Sequence, residues 1–531
     1  MREPRNPFRM RASEHIESDE TFIRLFSPGV LEMLAGDIWS RPQIIRSAPG
    51  GGKSSLLRLF TPSSLRTVYS LRTREHISEV HAKLEELGAI DDNGPSVLGV
   101  LLSCGHSFAA LEDLDIDEGR KRRLFTCLVN ARVVLAALRG VLELKHKEYP
   151  GDLCHVNLGY ESLPDLPIGL PLSKGDDLHA WARDIEHAVC EALDSFLPLA
   201  ESSLPGHGTL VSLLMLDPSR IAIDGEPVAG RILLMLDDVH LLTVKQRRWL
   251  FDSIVTYRAP VSVWLAERLE ALTVDELLSP GARTGRDYDK VIVIEEYWRG
   301  SRASKVEGRT SSVADRRAQE ARDVEISRFA DCLQDSLDGD EWQDRYAQAI
   351  TAVSDRVKRK AAGGQRFSAW VAECDGRTDT PREMLLGWRT LEILIERELR
   401  KSQLSFDLAL DTAELERRDA ADVRAAAELF VSREFNLPYY YGLSRLALLA
   451  SSNIDQFLWL AGDLFEECAS AALLRQPTHL TPESQERILA RAIARVWREL
   501  PQRVPYGTLT MRFLESIGAL STSETVKPNA P

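Results

Sequence analysis

An α/β fold with a parallel sheet at its core is predicted for this chain, and three observations predict it. A short apolar strand, "PQIIRSA", runs into a glycine-rich turn and then into a stretch of helical spacing, "SSLLRLF". Four more apolar runs of strand length follow, at Ser96–Ser103, Arg231–Leu236, Val261–Ala266 and Lys290–Tyr297. Continuous apolar strands separated by helical stretches are the pattern of a parallel sheet covered on both faces. From about residue 310 onward the chain reads as helical almost throughout, which adds an all-α part behind the sheet.

The elements divide the 531 residues as follows. Residues 1–40 form an amphipathic helical segment carrying Phe22, Phe26, Leu31, Leu34 and Trp39. Residues 41–300 hold the sheet core, with a helical insertion at about 105–225. That insertion contains "RRLFTCLVNARVVLAALRGVLEL" and "DLHAWARDIEHAVCEALDSFLPL", both amphipathic at helical period. Residues 301–470 form a helical lid region, and residues 471–531 a C-terminal helical region with a frayed tail, "TSETVKPNAP". The last helix has no C-terminal cap, the pattern a truncated chain would leave. No internal repeat is evident.

Composition bounds the rest. The chain is 44% apolar and 27% charged, the range of an ordinary globular protein. Its net charge of -14 disfavours a surface coated in nucleic acid, which needs clustered cations. "EGRKRR" and "RVKRKAAGGQR" are the strongest local basic stretches, and both read first as solvated helix faces. The seven cysteines are scattered without a C-x-x-C pair, which fits reduced thiols packed as small apolar groups. Cys104 and His106 could offer two metal ligands, but no second pair lies nearby. No run of about 18 apolar residues is present, and no signal-type apolar core opens the chain. A cytoplasmic protein without a membrane span is expected.

The chemistry concentrates in "IIRSAPGGGKSSLLRLF". The phosphate-loop pattern G-x-x-x-x-G-K-[ST] maps onto Ser47 through Ser54, with serine at the first position. Pro49, Gly50, Gly51 and Gly52 turn backbone N–H groups inward to cradle phosphate oxygens. Lys53 would reach the β- and γ-phosphates, Ser54 would hold Mg²⁺, and Ser55 continues the cradle onto the helix N-terminus. Ser47 is small and precedes three glycines, so it costs little. Downstream, "RILLMLDDVHLL" ends an apolar strand in Asp237 and Asp238. Asp237 would hold the magnesium water shell, and Asp238 would orient or deprotonate the attacking water. Strand, glycine turn and helix, with a second strand ending in paired carboxylates, predict a P-loop NTPase.

This pair of motifs, followed by another strand and a helical C-terminal part, resembles the AAA+/STAND group of P-loop ATPases. It is most similar to the origin-recognition-like branch and its bacterial relatives, some of them defence-associated. The resemblance covers residues 20–300 and a lid-like segment near 433–468. It implies ATP with Mg²⁺ as the bound nucleotide, an arginine finger ahead of the fifth strand, where Arg283 and Arg286 stand, and homo-oligomerisation. It also implies a polar sensor after the fourth strand, where Glu267 and Arg268 stand instead. A second sensor arginine is expected at the lid helix, yet "SSNIDQF" places Asp455 there, leaving Arg445 as a substitute. Tyr439 or Tyr440 could border adenine or belong to the core.

Three functions follow as alternatives. The first is a slow ATPase switch that couples nucleotide state to oligomerisation or to a protein partner, with antiphage defence as its setting. The second is an origin-recognition-like DNA-binding initiator or loader, for which a basic winged helix beyond the lid is missing. The third is a non-hydrolysing scaffold stabilised by nucleotide.

Overall fold

The computed structural model describes residues 6–11, 16, 18–34, 36–159, 174–195, 205, 208–257, 261–269, 291–299, 303–321, 324, 326–337, 339–362, 367–401 and 421–525. The chain forms two compact units. One comprises Pro7–Glu320 with Ala450–Leu458, and the other Met1–Asn6, Ala321–Leu449 and Trp459–Pro531.

The first unit is built on a five-stranded sheet: β1 (Gln43–Ser47), β2 (Val97–Ser103), β3 (Arg231–Asp237), β4 (Ser262–Arg268) and β5 (Val291–Val293). Their order in space is β5-β1-β4-β3-β2, and every neighbouring pair is parallel. Four of the five apolar runs are strands nearly throughout, while the last, Lys290–Tyr297, is strand only at Val291–Val293 and turns into helix from Ile294. Register places Ser47 opposite Arg268 and Ser103 opposite Asp237. All four residues therefore meet at the carboxyl edge of the sheet, the edge where ligands bind in such folds.

Both faces are covered because successive strand residues point to opposite sides and both sides are apolar. On one face Leu98, Val100, Ile232, Leu234, Val263 and Leu265 join one cluster with the long helix α2 (Glu118–Leu144), the first helix after β2 of more than one turn. On the other, Trp264 is wholly buried between Trp39 and Phe60, with ring centroids 6.3 and 4.7 Å away. Its indole N–H donates to the Ile38 carbonyl at 3.2 Å. Phe60 ends the short helix α1 (Lys53–Leu59), and its carbonyl lies against Gly99 of β2. A Cβ at position 99 would sit 1.9 Å from that oxygen, so the close approach requires glycine.

Helix α2 is long and apolar enough to cross a membrane by length and composition, and 78% of its most apolar window is buried inside this unit. It is a core helix. The insertion also contains a small antiparallel sheet, Val156–Leu158, Ile221–Ile223 and Glu226–Pro227, beside its helices. Strands of two and three residues are too short to leave a periodicity, so the sequence reading saw helix alone. The unit continues through α3 (Val244–Tyr257), α4 (Ile294–Arg299) and α5 (Ala303–Gln319).

In the second unit, helices Asp340–Ala361, Pro381–Lys401 and Ala421–Phe435 pack around Trp342, Tyr346, Trp370 and Trp388. Buried Glu392 accepts from Arg356 at 3.1 Å and Lys360 at 2.9 Å, and Lys358 pairs with Asp375 at 2.9 Å. In the basic stretch at 356–366, Arg356, Lys358 and Lys360 are thus matched by carboxylates, while Arg359 donates to the Asp355 carbonyl at 3.2 Å. The unit ends in α6 (Ile454–Leu473), whose first residues belong to the first unit, then α7 (Pro482–Arg503) and α8 (Gly507–Thr525). Among the described residues beyond Glu320 the only strand-like pairing is the single bridge Leu333–Leu480, with no winged-helix hairpin.

Candidate nucleotide site

The loop between β1 and α1 is shaped by its three glycines. Gly50 and Gly52 have φ of +79° and +107°, a left-handed region that other residues enter at a cost. Gly51 is needed for space instead. A Cβ there would lie 2.5 Å from Ser47 Oγ and 2.9 Å from Glu295 Oε1. Ser47 is wholly buried, and its hydroxyl donates to the Ala48 carbonyl at 2.9 Å. It is an integrated part of the loop.

Lys53, the first residue of α1, is 8% exposed. Its ammonium donates to the Ser47 carbonyl at 2.9 Å and to Ser47 Oγ at 3.0 Å. Burial pushes its pKa below the usual lysine range, while Asp237, Glu295 and Asp238 pull it back up. The cation is folded onto the end of β1, in the field of three carboxylates.

Across the sheet, β3 ends in buried Asp237. Burial raises its pKa above the ordinary carboxylate value, against a lowering hydrogen bond with the Ser54 side chain. The Asp238 N–H also donates to Asp237 Oδ1, at 2.8 Å. A hydroxyl and a carboxylate thus converge beside the loop. That hard-oxygen pair fits Mg²⁺, which takes few protein ligands and keeps phosphate oxygens and waters for the rest. Asp238 is half-buried and adopts φ 56°, ψ 34°, turning the chain out of the strand into the 3₁₀ turn Val239–Leu241.

A family model described as ORC-CDC6-like matches residues 4–531. The chain belongs to the ORC-CDC6-like family. No curated protein and no solved structure matches it. Membership makes the first unit the P-loop core of an AAA+ ATPase-type fold. The match runs through the helical region as well, wider than residues 20–300 and 433–468.

Around the loop, this ORC-CDC6-like chain departs from the sensor pattern its family resemblance implies. Glu267 is wholly buried, accepting from Arg46 Nε at 2.7 Å and Arg247 Nη2 at 2.9 Å. It ties β1 and α3 to β4, with both carboxylate oxygens taken by arginines. Arg268, one residue further and opposite Ser47, is exposed, and its charge acts on both Lys53 and His240. His240 sits 3.9 Å from Asp238 Oδ1, and neither ring nitrogen has a hydrogen-bond partner among the described residues. Burial first, and Arg268 second, lower its pKa below the usual histidine value. Arg283 and Arg286 lie outside the described residues.

The segment Ser452–Asp455 stands at the loop. Asn453 caps α6 by accepting from Gln456 N at 3.1 Å, and its amide donates to the Pro49 carbonyl at 2.9 Å. Asp455 lies so close to Gly50 that a Cβ on Gly50 would come within 2.3 Å of it. Its charge is offset by Arg11 at 3.9 Å and by buried Arg317. Burial pulls the Arg317 pKa down to about 10, and its guanidinium donates to the Pro7 carbonyl at 2.8 Å. In the second unit, Arg445 donates to Tyr439 Oη at 3.1 Å and pairs with Glu428, while Tyr439 N–H donates to Glu486.

Two groups, Glu295 and His240, carry no signal in the sequence, and Cys104, a candidate metal ligand there, stands in another role. Glu295, at the start of α4, accepts the Ala48 N–H at 2.6 Å across 247 residues of chain. His240 carried no pattern of its own beside Asp238. Cys104 donates its N–H to the Asp237 carbonyl at 2.8 Å, and burial with Asp237 and Asp238 pushes its thiol up to about 12. That thiol is an inert wall beside the site.

Proposed function

We propose that this chain binds ATP with Mg²⁺ at the β1–α1 loop and hydrolyses it slowly, as a switch. The observation that carries this reading is buried Lys53, folded onto Ser47 at the head of α1 behind the glycine loop, with buried Asp237 ending β3 on the same carboxyl edge of the sheet. Lys53 leaves Ser47 and turns to the β- and γ-phosphates. The amides of Gly50 to Ser55 and the turn at Pro49 cradle the phosphate oxygens. Ser54 and Asp237 would hold magnesium, which supplies neutralisation of phosphate charge when bound. Asp238, turned out of the strand, orients the attacking water and accepts its proton. Arg283 and Arg286 act as fingers toward a neighbouring copy.

Slow turnover is supported by two departures. Glu267 is wholly buried and sealed between two arginines, so the position of the implied polar sensor holds an occupied carboxylate. Asp455 places a negative charge where the resemblance puts a cation, so a triphosphate meets repulsion at Gly50. Relief of that repulsion shifts the start of α6. This couples nucleotide state to oligomerisation or to a protein partner, and the family resemblance points to antiphage defence as the setting. The test is fluorescent-nucleotide titration together with mass measurement, with and without a slowly hydrolysed ATP analogue. Saturable, Mg²⁺-dependent binding with a change in mass is expected. Absence of binding by the parent chain overturns the reading.

A further inference from the structure

Helix α8 is exposed on every side from Arg512 to Ser523. It is rich in poor helix formers, with Thr508, Thr510, Ser516, Gly518, Ser521, Thr522 and Ser523 in its span. Such a helix gains little from propensity and needs packing to persist in water. It also carries an apolar stripe, with Leu514, 41% exposed, beside it. Leu509 is 64% exposed, Phe513 65%, Ile517 45% and Leu520 63%, with Tyr506 at 83% in the turn that leads in. In that turn glycine is needed for space, because a Cβ on Gly507 would lie 2.3 Å from the Pro501 carbonyl.

We propose that α8 pairs antiparallel with α8 of a second copy of this chain, across a two-fold axis at Phe513. The order of the stripe carries the choice of partner. Leu509 and Ile517 stand four residues either side of Phe513, and Tyr506 and Leu520 seven either side. An isologous contact needs a patch that complements itself, and this one reads alike in both directions. Phe513 then meets Phe513, Leu509 meets Ile517 of the second copy, and Leu520 meets Tyr506. The described part of α8 holds Arg512, Glu515 and Glu524 alone, and all three lie off the stripe, Glu515 accepting from Trp497 Nε1 of its own chain at 3.4 Å, so no charge is buried by the pairing.

The area is adequate. At about 200 Å² for a whole large apolar side chain, the five residues offer roughly 600 Å² per copy, at the upper limit of patches on monomers. Counted over both copies that is about 1,200 Å², above the roughly 1,000 Å² that a specific interface should clear. The pairing is independent of nucleotide, so it stands or falls apart from the switch reading.

The test is sedimentation of the full chain carrying Lys53→Ala, without nucleotide, at low and high micromolar concentration. A concentration-dependent dimer is expected, and Phe513→Glu should weaken it at least about tenfold with unchanged helicity and melting. With Cys154 and Cys190 replaced by serine, a short bismaleimide should join Phe513→Cys to itself. It should join Leu509→Cys to Ile517→Cys in mixtures, but neither to itself. A parent monomer at every concentration overturns the proposal. So does a dimer indifferent to Phe513→Glu, or efficient self-linking of Leu509→Cys.

Discussion

Lys53 donates its ammonium to both the carbonyl and the hydroxyl of Ser47, at 2.9 and 3.0 Å, closing a ring between the first helical residue and the last strand residue. Phosphate binding has to open this ring. Lys53→Ala removes the cation, and hydrogen bonds to charged groups are worth about 1.5–3 kcal/mol, so affinity for Mg-ATP should fall roughly 10- to 100-fold. Ser47→Gly removes one of the two bonds that hold Lys53 back, so affinity should rise a few-fold. Nucleotide titration of both variants checks this; equal affinity in Lys53→Ala and parent refutes the role of Lys53.

Asp237 is raised in pKa by burial, so without ligand its ionised form strains the fold. The sign follows from linkage. Stability from this group is fully present below the ordinary aspartate value and is lost as pH rises through the raised one. Asp237→Asn should therefore raise the melting temperature of the unliganded protein at neutral pH, by about 2–4 °C for each 1 kcal/mol relieved. The same variant should lose Mg²⁺-dependent nucleotide affinity. Calorimetry and titration together read both; a lower melting point at neutral pH counts against it.

Glu267 and Arg268 are neighbours with opposite consequences. Glu267→Ala leaves Arg46 and Arg247 buried without their carboxylate, which should cost about 3–5 kcal/mol. Arg268→Ala touches an exposed side chain and should leave denaturant stability within about 0.5 kcal/mol while lowering turnover. Urea unfolding and phosphate release separate the two; turnover unchanged in Arg268→Ala removes it from the site.

His240 is held neutral by burial and by the charges of Arg268, Lys53 and Arg247, against the opposing pull of Asp238. Its stabilising contribution is present above the ordinary histidine value, about 6.5, and is lost as pH falls through the lowered one. Melting temperature should drop from pH 7 to pH 5 more steeply in the parent than in His240→Asn. Parallel pH profiles would contradict this.

Asp238→Asn should retain the nucleotide-bound state and slow hydrolysis at least about 100-fold, the usual scale of a general base. Single-turnover kinetics measure it, and unchanged turnover removes Asp238 as the base.

The parts of the site legible in the sequence are those written locally. Gly50 to Ser54 and Asp237 follow apolar strands, so pattern and context coincide. Ile44, Leu234 and Leu265 announced buried strands because both faces of the sheet are covered. The chain could not announce Glu295 at the Ala48 amide, since nothing near Ala48 encodes that partner. Asn453 donates to Pro49 across 404 residues, and only the family resemblance put its segment near the loop. Glu267 misled for another reason: a charge after an apolar strand reads alike whether it faces a ligand or two arginines.

The contact between Gly99 and the Phe60 carbonyl limits which parts of the site can respond. With no side chain between them, α1 is seated directly on β2 and has no slack along that direction. A helix so seated is an anvil rather than a lever. Motion on ligand arrival falls to the Lys53 side chain above it and to Asn453 and Asp455 opposite. A larger residue at position 99 would tilt the anvil itself, and disturb the loop without touching a single group that meets the nucleotide.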